Sequence, residues 1–539
     1  MFGQIRKESR TTLFTLALLV LISLGLCLSL ISWGLPYYLH PDEQFVVTNT
    51  MRMAENRLLP TNSIYPPLLF YTHLSLYGSY FIVLKAAGEV SGFSDFADFY
   101  HSNQSNFFMI SRGLTILASI LILILVFIFT EKISNNSAAG LLASFFLVIS
   151  PGFLASSTLI KADIFIALFF LLALYCLMAK NGKAENGEAK EKTGEKEKTG
   201  EGGKNEKKEK AHWIALFTAL AFSLNYYGVF IVPIIIAGFL FLKQKEMIAP
   251  YLKKTVIFGI ALNFLFLLNF TQGVDDILHV LSMVKDRTSS LCIPFWEGNQ
   301  FSGIWDGLGA PLLFAAIGLV YFWRRKKADY IILGGASILF LFFLFLISAR
   351  EPRYSIAVYP LIAMLAAVTI MEIHGYLAGK YKPNHAKLAL VLVLGLLSFP
   401  AINTTYNLVA NEDTRFVSAA WIKQNIPLDK VIATETYGPV LDSRFYYTWG
   451  YTGRDPYDGG GYYLIKDYYI TDKNFYVADF IVLSSLASDK TKYFCDKKPL
   501  ETYASIRSCP LVGSWRAEPA NFWFHNPVIS LYSNCLKAA

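Results

Sequence analysis

Long apolar segments recur along this 539-residue chain, and they constrain its fold more than any other feature. Many of them approach the roughly 20 residues that an α-helix needs to cross a lipid bilayer. Hydrophobic residues make up 54% of the chain and charged residues only 16%. A soluble protein of this length would divide into several domains, each with far more charge. The sequence therefore predicts a polytopic α-helical membrane protein.

Eleven segments are predicted to span the membrane. They are Thr11–Leu35, Phe107–Phe129, Ala138–Ser150, Ile164–Met178, Trp213–Leu224, Val229–Leu242, Thr255–Phe270, Ile304–Trp323, Tyr330–Ile347, Ser355–Met371 and Leu388–Ile402. The first segment has basic residues before it and no small-residue cleavage site after it. We therefore predict that it is retained as a span and is not a cleaved signal peptide.

The distribution of basic residues predicts the orientation of the chain. The N-terminus is basic and should be cytoplasmic, because cytoplasmic loops are enriched in Lys and Arg. Leu68–Ala87 is apolar enough to span, but crossing there would place the basic residues 324–327 outside. We therefore predict that Leu68–Ala87 is a membrane-adjacent helix on the outer face, within the outer loop 36–105. A second outer loop is predicted at 271–302.

Two further regions differ from the membrane segments in composition. Residues 180–210 are rich in Lys and Glu, cannot bury apolar surface, and are predicted to be a disordered cytoplasmic loop. Residues 407–539 are polar and aromatic, with short strands predicted at Val431–Ala433 and Phe480–Leu483 and a helix at Thr414–Gln424. They predict a small extracytoplasmic α/β domain after a membrane domain at 1–406.

The cysteines fall into two groups. Cys27 and Cys176 sit within apolar spans, where a small hydrophobic side chain is the ordinary interpretation. The other four lie on the predicted outer side: Cys292, Cys495, Cys509 and Cys535. An oxidising compartment would permit disulfides among these four, and their connectivity stays open. No His/Cys spacing resembles a zinc site.

Adjacent carboxylates, Asp42 and Glu43, follow the first span directly. Carboxylates near a bilayer surface are costly unless they are solvated or used. A simple alternative is that this pair caps a helix over Phe45–Leu59, since Asp at a helix start accepts backbone N–H bonds. The rest of the chain favours a functional interpretation, because further charged residues return to the same side of the membrane.

These further residues stand at the predicted outer ends of spans. They are Lys161, Asp163, Asp275, Asp276, His279, Arg350, Arg353 and Tyr354. Arg350 and Arg353 add cations on the side that normally has few, and guanidinium groups bind phosphate through charge-assisted hydrogen bonds. A carboxylate and a group of phosphate-binding cations on the same face of the membrane indicate transfer of a group from a lipid phosphate to a hydroxyl.

The order of short motifs resembles the GT-C glycosyltransferases, in the branch of protein O-mannosyltransferases and bacterial aminoarabinose transferases (glycosyltransferase family 39-like). The matching residues in the membrane domain are Asp42-Glu43, Pro66-Pro67-Leu68, Arg112, Ser150-Pro151, Asp163, Arg353-Tyr354 and Pro360. At the start of the outer domain they are Asp413-Thr414-Arg415, Ala420 and Trp421-Ile422. The chain departs from the family at Asn225-Tyr226, where other members often have a lysine before an aromatic residue.

The resemblance implies a GT-C fold and an inverting transfer of sugar from a polyprenyl-phosphate donor to a lipid, glycan or protein hydroxyl in the cell envelope. The implied catalytic residues are Asp42, as general base, and Glu43. Donor phosphate binding is assigned to Arg353, Tyr354, Arg350 and Lys161, and substrate positioning to Asp163 and His279. Asp42 and Glu43 are close enough in sequence to hold a divalent cation, but nothing in their spacing requires one.

The residues themselves agree with a membrane-carried donor. The chain lacks the Gly-rich turn of a nucleotide-binding site, and its net charge of +8 includes no basic patch for nucleic acid. The expected location is a bacterial or archaeal cell membrane, because the outer domain is short.

Two other functions stay open. A transporter or flippase would normally carry ionisable residues in the middle of its spans or show two matched halves. A non-enzymatic scaffold could use the aromatic residues of the outer domain to bind a partner or a sugar, although these could also fill its core. The aromatic residues are Tyr446, Tyr447, Trp449, Tyr462 and Tyr463.

Overall fold

Helices account for most of the protein, whose structure is a computed structural model. The structure describes residues 9–36, 39–56, 58–59, 65–179, 200–264, 299–346, 352–435, 437–441, 451–454, 463–467, 473–488, 498–518 and 525–536.

The α-helices of the described residues run in this order: α1 Arg10–Leu30, α2 Pro41–Glu55, α3 Pro67–Ala87, α4 Phe93–Ser102, α5 Gln104–Ser134, α6 Ser137–Val148, α7 Pro151–Ser157, α8 Ala162–Met178, α9 Gly200–Leu224, α10 Ile231–Phe241, α11 Ile248–Leu262, α12 Asn299–Leu308, α13 Pro311–Arg324, α14 Ala328–Leu346, α15 Tyr359–Lys380, α16 Pro383–Ala410, α17 Thr414–Asn425, α18 Ser485–Ser488 and α19 Lys498–Arg507. Short 3₁₀ helices occupy Tyr226–Phe230, Lys245–Met247, Pro352–Val358 and Lys473–Val477.

Six described helices are long and apolar enough to cross a membrane: α1, α3, α5, α14, α15 and α16. A seventh span is formed if α6 and α7, which meet at a bend of 68°, are taken together. The predicted class of a polytopic helical membrane protein is therefore confirmed, while the count of eleven spans stays a prediction. Helix α3 is the least apolar of the six, and its predicted position beside the membrane also stays a prediction.

The bend between α6 and α7 follows from Ser150-Pro151. Proline has no backbone N–H to donate within a continuing helix, but it fits the first turn of a new helix, where that N–H is not needed. Ser150 caps this new helix, because its hydroxyl accepts a hydrogen bond from the Phe153 N–H at 3.1 Å. The same hydroxyl donates to the Gly307 carbonyl at 2.5 Å, which ties the bend to α12.

The Lys/Glu-rich segment differs from the prediction over part of its length. Residues 200–210 form the start of α9 rather than a disordered loop, whereas residues 180–199 lie outside the described residues. Lys and Glu are good helix formers, and a helix that is already nucleated by its apolar part extends at little cost. Lys207 also pairs with Glu246 at 2.8 Å.

Helices α5, α8 and α15 carry the most deeply buried faces of the membrane domain. Helices α13 and α15 cross closely at Gly318. A Cβ atom at this position would lie 1.9 Å from Oγ1 of Thr369, so only glycine permits the approach. The interior is close-packed, and such a contact fixes how the helices cross.

The C-terminal part contains one six-stranded sheet. Its strands are β1 Val431–Glu435, β2 Tyr451–Arg454, β3 Tyr463–Asp467, β4 Phe480–Ser484, β5 Leu511–Trp515 and β6 Ile529–Ser533, in the order β2-β3-β1-β4-β6-β5. The central strands β3, β1 and β4 are parallel, and the other pairings are antiparallel. The strands predicted around Val431 and Phe480 and the helix predicted at Thr414 are confirmed as β1, β4 and α17.

A disulfide joins Cys509 to Cys535 across this sheet domain. Cys292 and Cys495 lie outside the described residues, as do Tyr446, Tyr447, Trp449 and Tyr462. The last membrane-length helix ends at Ala410, close to the predicted boundary between 406 and 407, which stays a prediction.

The predicted orientation can be tested by cysteine labelling. With α3 beside the outer face, Ser91→Cys should react with an impermeant thiol reagent added outside intact cells. Asn205→Cys should react only after the cytoplasmic side is opened. The chain has native cysteines in its predicted spans and on the predicted outer side, so the unsubstituted protein, labelled in parallel from each side, gives the background to subtract. Labelling of Ser91→Cys from inside and Asn205→Cys from outside would contradict the orientation.

Candidate functional site

A small pocket gathers four of the charged residues predicted from the sequence. Its walls are formed by Asp42, Val46, Tyr65, Leu69, Ile160, Lys161, Ala162, Asp163, Asn225, Arg353 and Tyr354. These residues come from the start of α2, the start of α3 and the segment before it, the start of α8 and the segment before it, the residue that follows α9, and the 3₁₀ helix Pro352–Val358. Segments far apart in the sequence therefore meet at one place.

Asp42 is the carboxylate at which two cations meet. Its Oδ2 atom accepts a hydrogen bond from the Arg353 guanidinium at 2.5 Å and lies 3.1 Å from the Lys161 ammonium. The Asp42 side chain is 26% exposed, while those of Lys161 and Arg353 are 8% and 13% exposed. Asp42 is thus the member of this group that is most open to an incoming molecule.

The start of α2 explains why Asp42 is held there. Pro41 begins the helix, and the His40 ring caps it by accepting a hydrogen bond from the Asp42 N–H at 3.2 Å. Burial lowers the pKa of His40 to about 3, against a partial opposing effect of the Asp42 charge. The imidazole is therefore neutral at ordinary pH, as an accepting ring nitrogen requires.

Glu43 faces away from the pocket into the protein. Both of its oxygens bind Arg112: Nε to Oε1 at 2.8 Å and Nη2 to Oε2 at 2.6 Å, with both side chains fully buried. The Ile160 N–H also donates to Glu43 at 3.0 Å. Arg112 completes its bonding by donating to the carbonyls of Ile31 and Trp33, each at 2.7 Å.

These contacts give Glu43 and Arg112 a positioning role. The pair joins α2 to α5, to the end of α1 and to the segment before α8. The catalytic role predicted for Glu43 stays a prediction, but its oxygens are already taken by Arg112. Among the described residues no three His, Cys, Asp or Glu side chains form a group that could hold a metal ion.

Asp163 forms a second carboxylate wall of the pocket. It is buried and accepts a hydrogen bond from the Tyr227 hydroxyl. The Tyr227 ring in turn lies edge-on to Tyr354, with centroids 5.4 Å apart. The guanidinium carbon of Arg353 lies 5.0 Å from the centroid of the Tyr354 ring, and the same guanidinium donates a hydrogen bond to the Tyr354 hydroxyl at 3.2 Å. A chain of contacts therefore links Asp163 to Arg353.

Three polar residues at the site were not predicted as site residues: Tyr65 and Asn225, which line the pocket, and Tyr227, which binds Asp163. Tyr65 is half-buried, and desolvation together with the nearby Asp42 charge raises its pKa well above the usual value. Its position immediately before the Pro66-Pro67 pair was the available signal. Tyr227 and Asn225 fall at the break between α9 and α10, where the sequence departs from the family pattern.

Two predicted site residues lie outside the described residues: Arg350 and His279, together with the neighbouring Asp275 and Asp276. The other motif residues have structural contacts. Arg112 binds Glu43, Ser150 caps α7, and Pro360 lies in the first turn of α15. The Asp413–Arg415 motif forms a buried ion pair with Nε to Oδ1 at 2.7 Å.

Comparison with known families matches two segments of the chain. Residues 83–274 match the model of the dolichyl-phosphate-mannose-protein mannosyltransferases, and residues 302–425 match the Alg9-like mannosyltransferase family. The first segment includes Lys161 and Asp163, and the second includes Arg353. Asp42 lies before both. No curated protein matches the sequence of this chain.

Solved structures share the fold. The apo form of the oligosaccharyltransferase from Archaeoglobus fulgidus is 13% identical with a TM-score of 0.51, covering 77% of this chain and 58% of that chain. ArnT from Cupriavidus metallidurans, bound to undecaprenyl phosphate, is 11% identical with a TM-score of 0.48, covering 97% and 99%. The chain thus spans less than two thirds of the oligosaccharyltransferase, and at 13% identity the likeness to that structure shows the fold alone.

The positioning role of Glu43 can be tested by Glu43→Gln. Loss of one partner leaves the buried Arg112 charge uncompensated, which should destabilise the protein by roughly 3–5 kcal/mol. The measurement is thermal unfolding of the purified protein in detergent. Glu55→Gln removes the same charge from an exposed position on the same helix and should change little. Unchanged stability with lost turnover would instead make Glu43 a catalytic group.

Proposed function

We propose that the chain is a membrane glycosyltransferase of the GT-C kind, and that it transfers a sugar from a polyprenyl-phosphate donor to an acceptor hydroxyl on the extracytoplasmic face. The contact of Asp42 with both Arg353 and Lys161 carries this proposal, because it combines a base with two phosphate-binding cations. The family matched by residues 83–274 is described by its dolichyl-phosphate-mannose donor, which supports a lipid phosphate sugar and makes mannose the first sugar to test.

The proposed reaction is a single displacement at the anomeric carbon. The acceptor oxygen forms a bond to this carbon as the bond to the phosphate oxygen breaks, and the electron pair leaves with the phosphate. Asp42 takes the acceptor proton as general base. Arg353 and Lys161 stabilise the negative charge that develops on the departing lipid phosphate.

The role of Asp42 and the role of the cations are linked, because Asp42 and a donor phosphate would bind the same two cations. A donor phosphate that draws Arg353 and Lys161 toward itself would free the Asp42 oxygens to contact the acceptor hydroxyl. The charge that accumulates on the leaving group would strengthen this effect during the reaction.

We propose that Asp163 positions the sugar from the other wall of the pocket, and that Tyr227 holds Asp163 through its hydrogen bond. Carboxylate oxygens accept hydrogen bonds from sugar hydroxyls. Asn225 stands where other members of the family have a lysine, and Lys161 supplies a cation on the same pocket. This replacement accounts for the departure from the family pattern without loss of a positive charge.

The direct experiment is incubation of the purified full-length protein with a panel of polyprenyl-phosphate sugars, starting with mannose, and with lipid, glycan and peptide acceptors. Release of free polyprenyl phosphate together with sugar on an acceptor supports the proposal. Movement of the lipid between leaflets without sugar transfer would identify a flippase. Binding without either reaction would identify a scaffold.

Asp42→Asn should distinguish two proposed roles of Asp42, as the general base and as a competitor of the donor phosphate for Arg353 and Lys161. Loss of the general base should lower turnover about 10²–10⁴-fold. Binding of polyprenyl phosphate should become tighter, because the Asp42 charge no longer competes with the phosphate for Arg353 and Lys161. Turnover and lipid binding by tryptophan fluorescence would be measured on the same preparation, with Glu55→Gln as the control for charge. Near-native turnover would remove Asp42 from the reaction.

Arg353→Ala should impair donor use, raising the donor KM at least about tenfold, the equivalent of 1.4 kcal/mol. Arg353→Lys should recover only part of this, because an ammonium group cannot reproduce the planar guanidinium. Arg325→Ala removes an exposed cation elsewhere and serves as the control. Wild-type donor dependence in Arg353→Ala would leave Lys161 or Arg350 as the phosphate-binding cation.

A further inference from the structure

The sheet domain has an edge at which a ligand crevice would be expected. Strands β3, β1 and β4 are parallel, so their carboxyl ends share one edge. β1 lies between the other two, and the chain leaves it for β3 on one side before returning to β4 on the other. In open parallel sheets such a reversal leaves a crevice outside the carboxyl ends of the strands.

That crevice is occupied by a residue of the membrane domain. Leu39 is fully buried in a cluster with Tyr437 and Val440, which follow β1, and with Leu486 and Ala487, which follow β4. The Leu39 side chain therefore fills the space between the two strand ends, where a small ligand would otherwise bind.

Polar contacts of Arg415, in α17, also hold the backbone at Leu39. Arg415 is fully buried and donates to the Leu39 carbonyl at 3.4 Å while bound to both oxygens of Asp413. Its guanidinium carbon lies 5.4 Å from the ring centroid of Trp33. His525 also lies against the Trp33 ring, with centroids 3.9 Å apart.

The held segment leads directly to the proposed base. Leu39 precedes His40, the residue that caps α2, and Asp42 follows two positions later. At its other end the segment is fixed by Arg112, which donates to the Trp33 carbonyl. A fixed Leu39 therefore limits the movement of the first turn of α2.

We propose that the C-terminal sheet domain positions Asp42 for catalysis by holding Leu39 in the crevice between β1 and β4. Leu39, Val440 and Arg415 are positioning residues in this arrangement and touch neither donor nor acceptor. The inference rests on the proposed function in one respect, the role of Asp42 as the base. A displacement of about 1 Å at a reacting group can lower the rate about 10²-fold, so loss of this contact should be visible in turnover.

Leu39→Ala should lower turnover about 10–100-fold, while polyprenyl phosphate binds with full stoichiometry and no loss of affinity. Hydrogen exchange of the backbone amides at residues 43–47 should become faster. Leu39→Met, which restores most of the volume, should recover most of the turnover. Val440→Ala trims the same contact from the sheet domain and should act in the same direction with a smaller effect.

Leu531→Ala is the matched control, because Leu531 is equally buried but belongs to a different cluster of the sheet domain. It should lower the melting temperature without changing the exchange at residues 43–47 or the turnover per bound lipid. The same response in Leu39→Ala and Leu531→Ala would show a general loss of stability and overturn the inference.

The outcomes separate this inference from the proposed function. Wild-type turnover in a folded Leu39→Ala or Val440→Ala protein, with unchanged exchange in α2, overturns the inference alone. A wild-type protein that binds no polyprenyl phosphate and transfers no sugar overturns the proposed function and, with it, the catalytic purpose of the contact.

Discussion

The buried ion pair between Glu43 and Arg112 is the interaction on which the site depends. Two charges removed from water are stable only when their hydrogen bonds are nearly complete, and here the carboxylate receives two guanidinium bonds and a backbone N–H. The remaining guanidinium bonds reach backbone carbonyls at Ile31 and Trp33. One residue of α5 therefore fixes the end of α1, the start of α2 and the approach to α8. Because Asp42 is adjacent to Glu43 in the first turn of α2, the same contacts hold its backbone in place.

Asp42 itself is in the opposite situation, because it is partly exposed and shares its charge with two cations. Such an arrangement suits the proposed binding of a donor phosphate, because both cations stand in the wall of the pocket. The incoming group offers the cations a second anionic partner, so the base and the leaving group compete for the same positive charge. In the mechanism proposed for this chain, that competition couples the departure of the lipid phosphate to removal of the acceptor proton.

The C-terminal sheet domain also contacts the segment that leads to Asp42. Its parallel strands have the topology that often forms a ligand crevice, but the crevice contains Leu39 of the same chain. Arg415 and Trp33 close the junction with a cation above an aromatic ring. The Asp413–Arg415 motif, which resembles that of bacterial aminoarabinose transferases, therefore joins the sheet domain to the segment before α2.

The sequence determined the class of the protein, because a bilayer requires long apolar helices and the chain has many of them. It also predicted Asp42, Lys161, Asp163 and Arg353 as site residues, since charges at the ends of apolar segments are costly unless they have partners, and these four line one pocket. It could not decide which of the adjacent carboxylates faces the pocket. Neighbouring side chains on a helix point in different directions, and only the position of Arg112 on another helix directs Glu43 inward and leaves Asp42 to the pocket.

The tertiary structure also decided the contacts that no local pattern contains. Asp42 and Arg353 are 311 residues apart in the chain, and their meeting depends on how the helices pack. Tyr65 enters the wall because α3 packs beside α2. The start of α9 at Gly200 reflects extension of an apolar helix into a polar segment, which composition alone predicted to be disordered. Residue types and spacing establish what chemistry is available, whereas packing establishes which groups share a site.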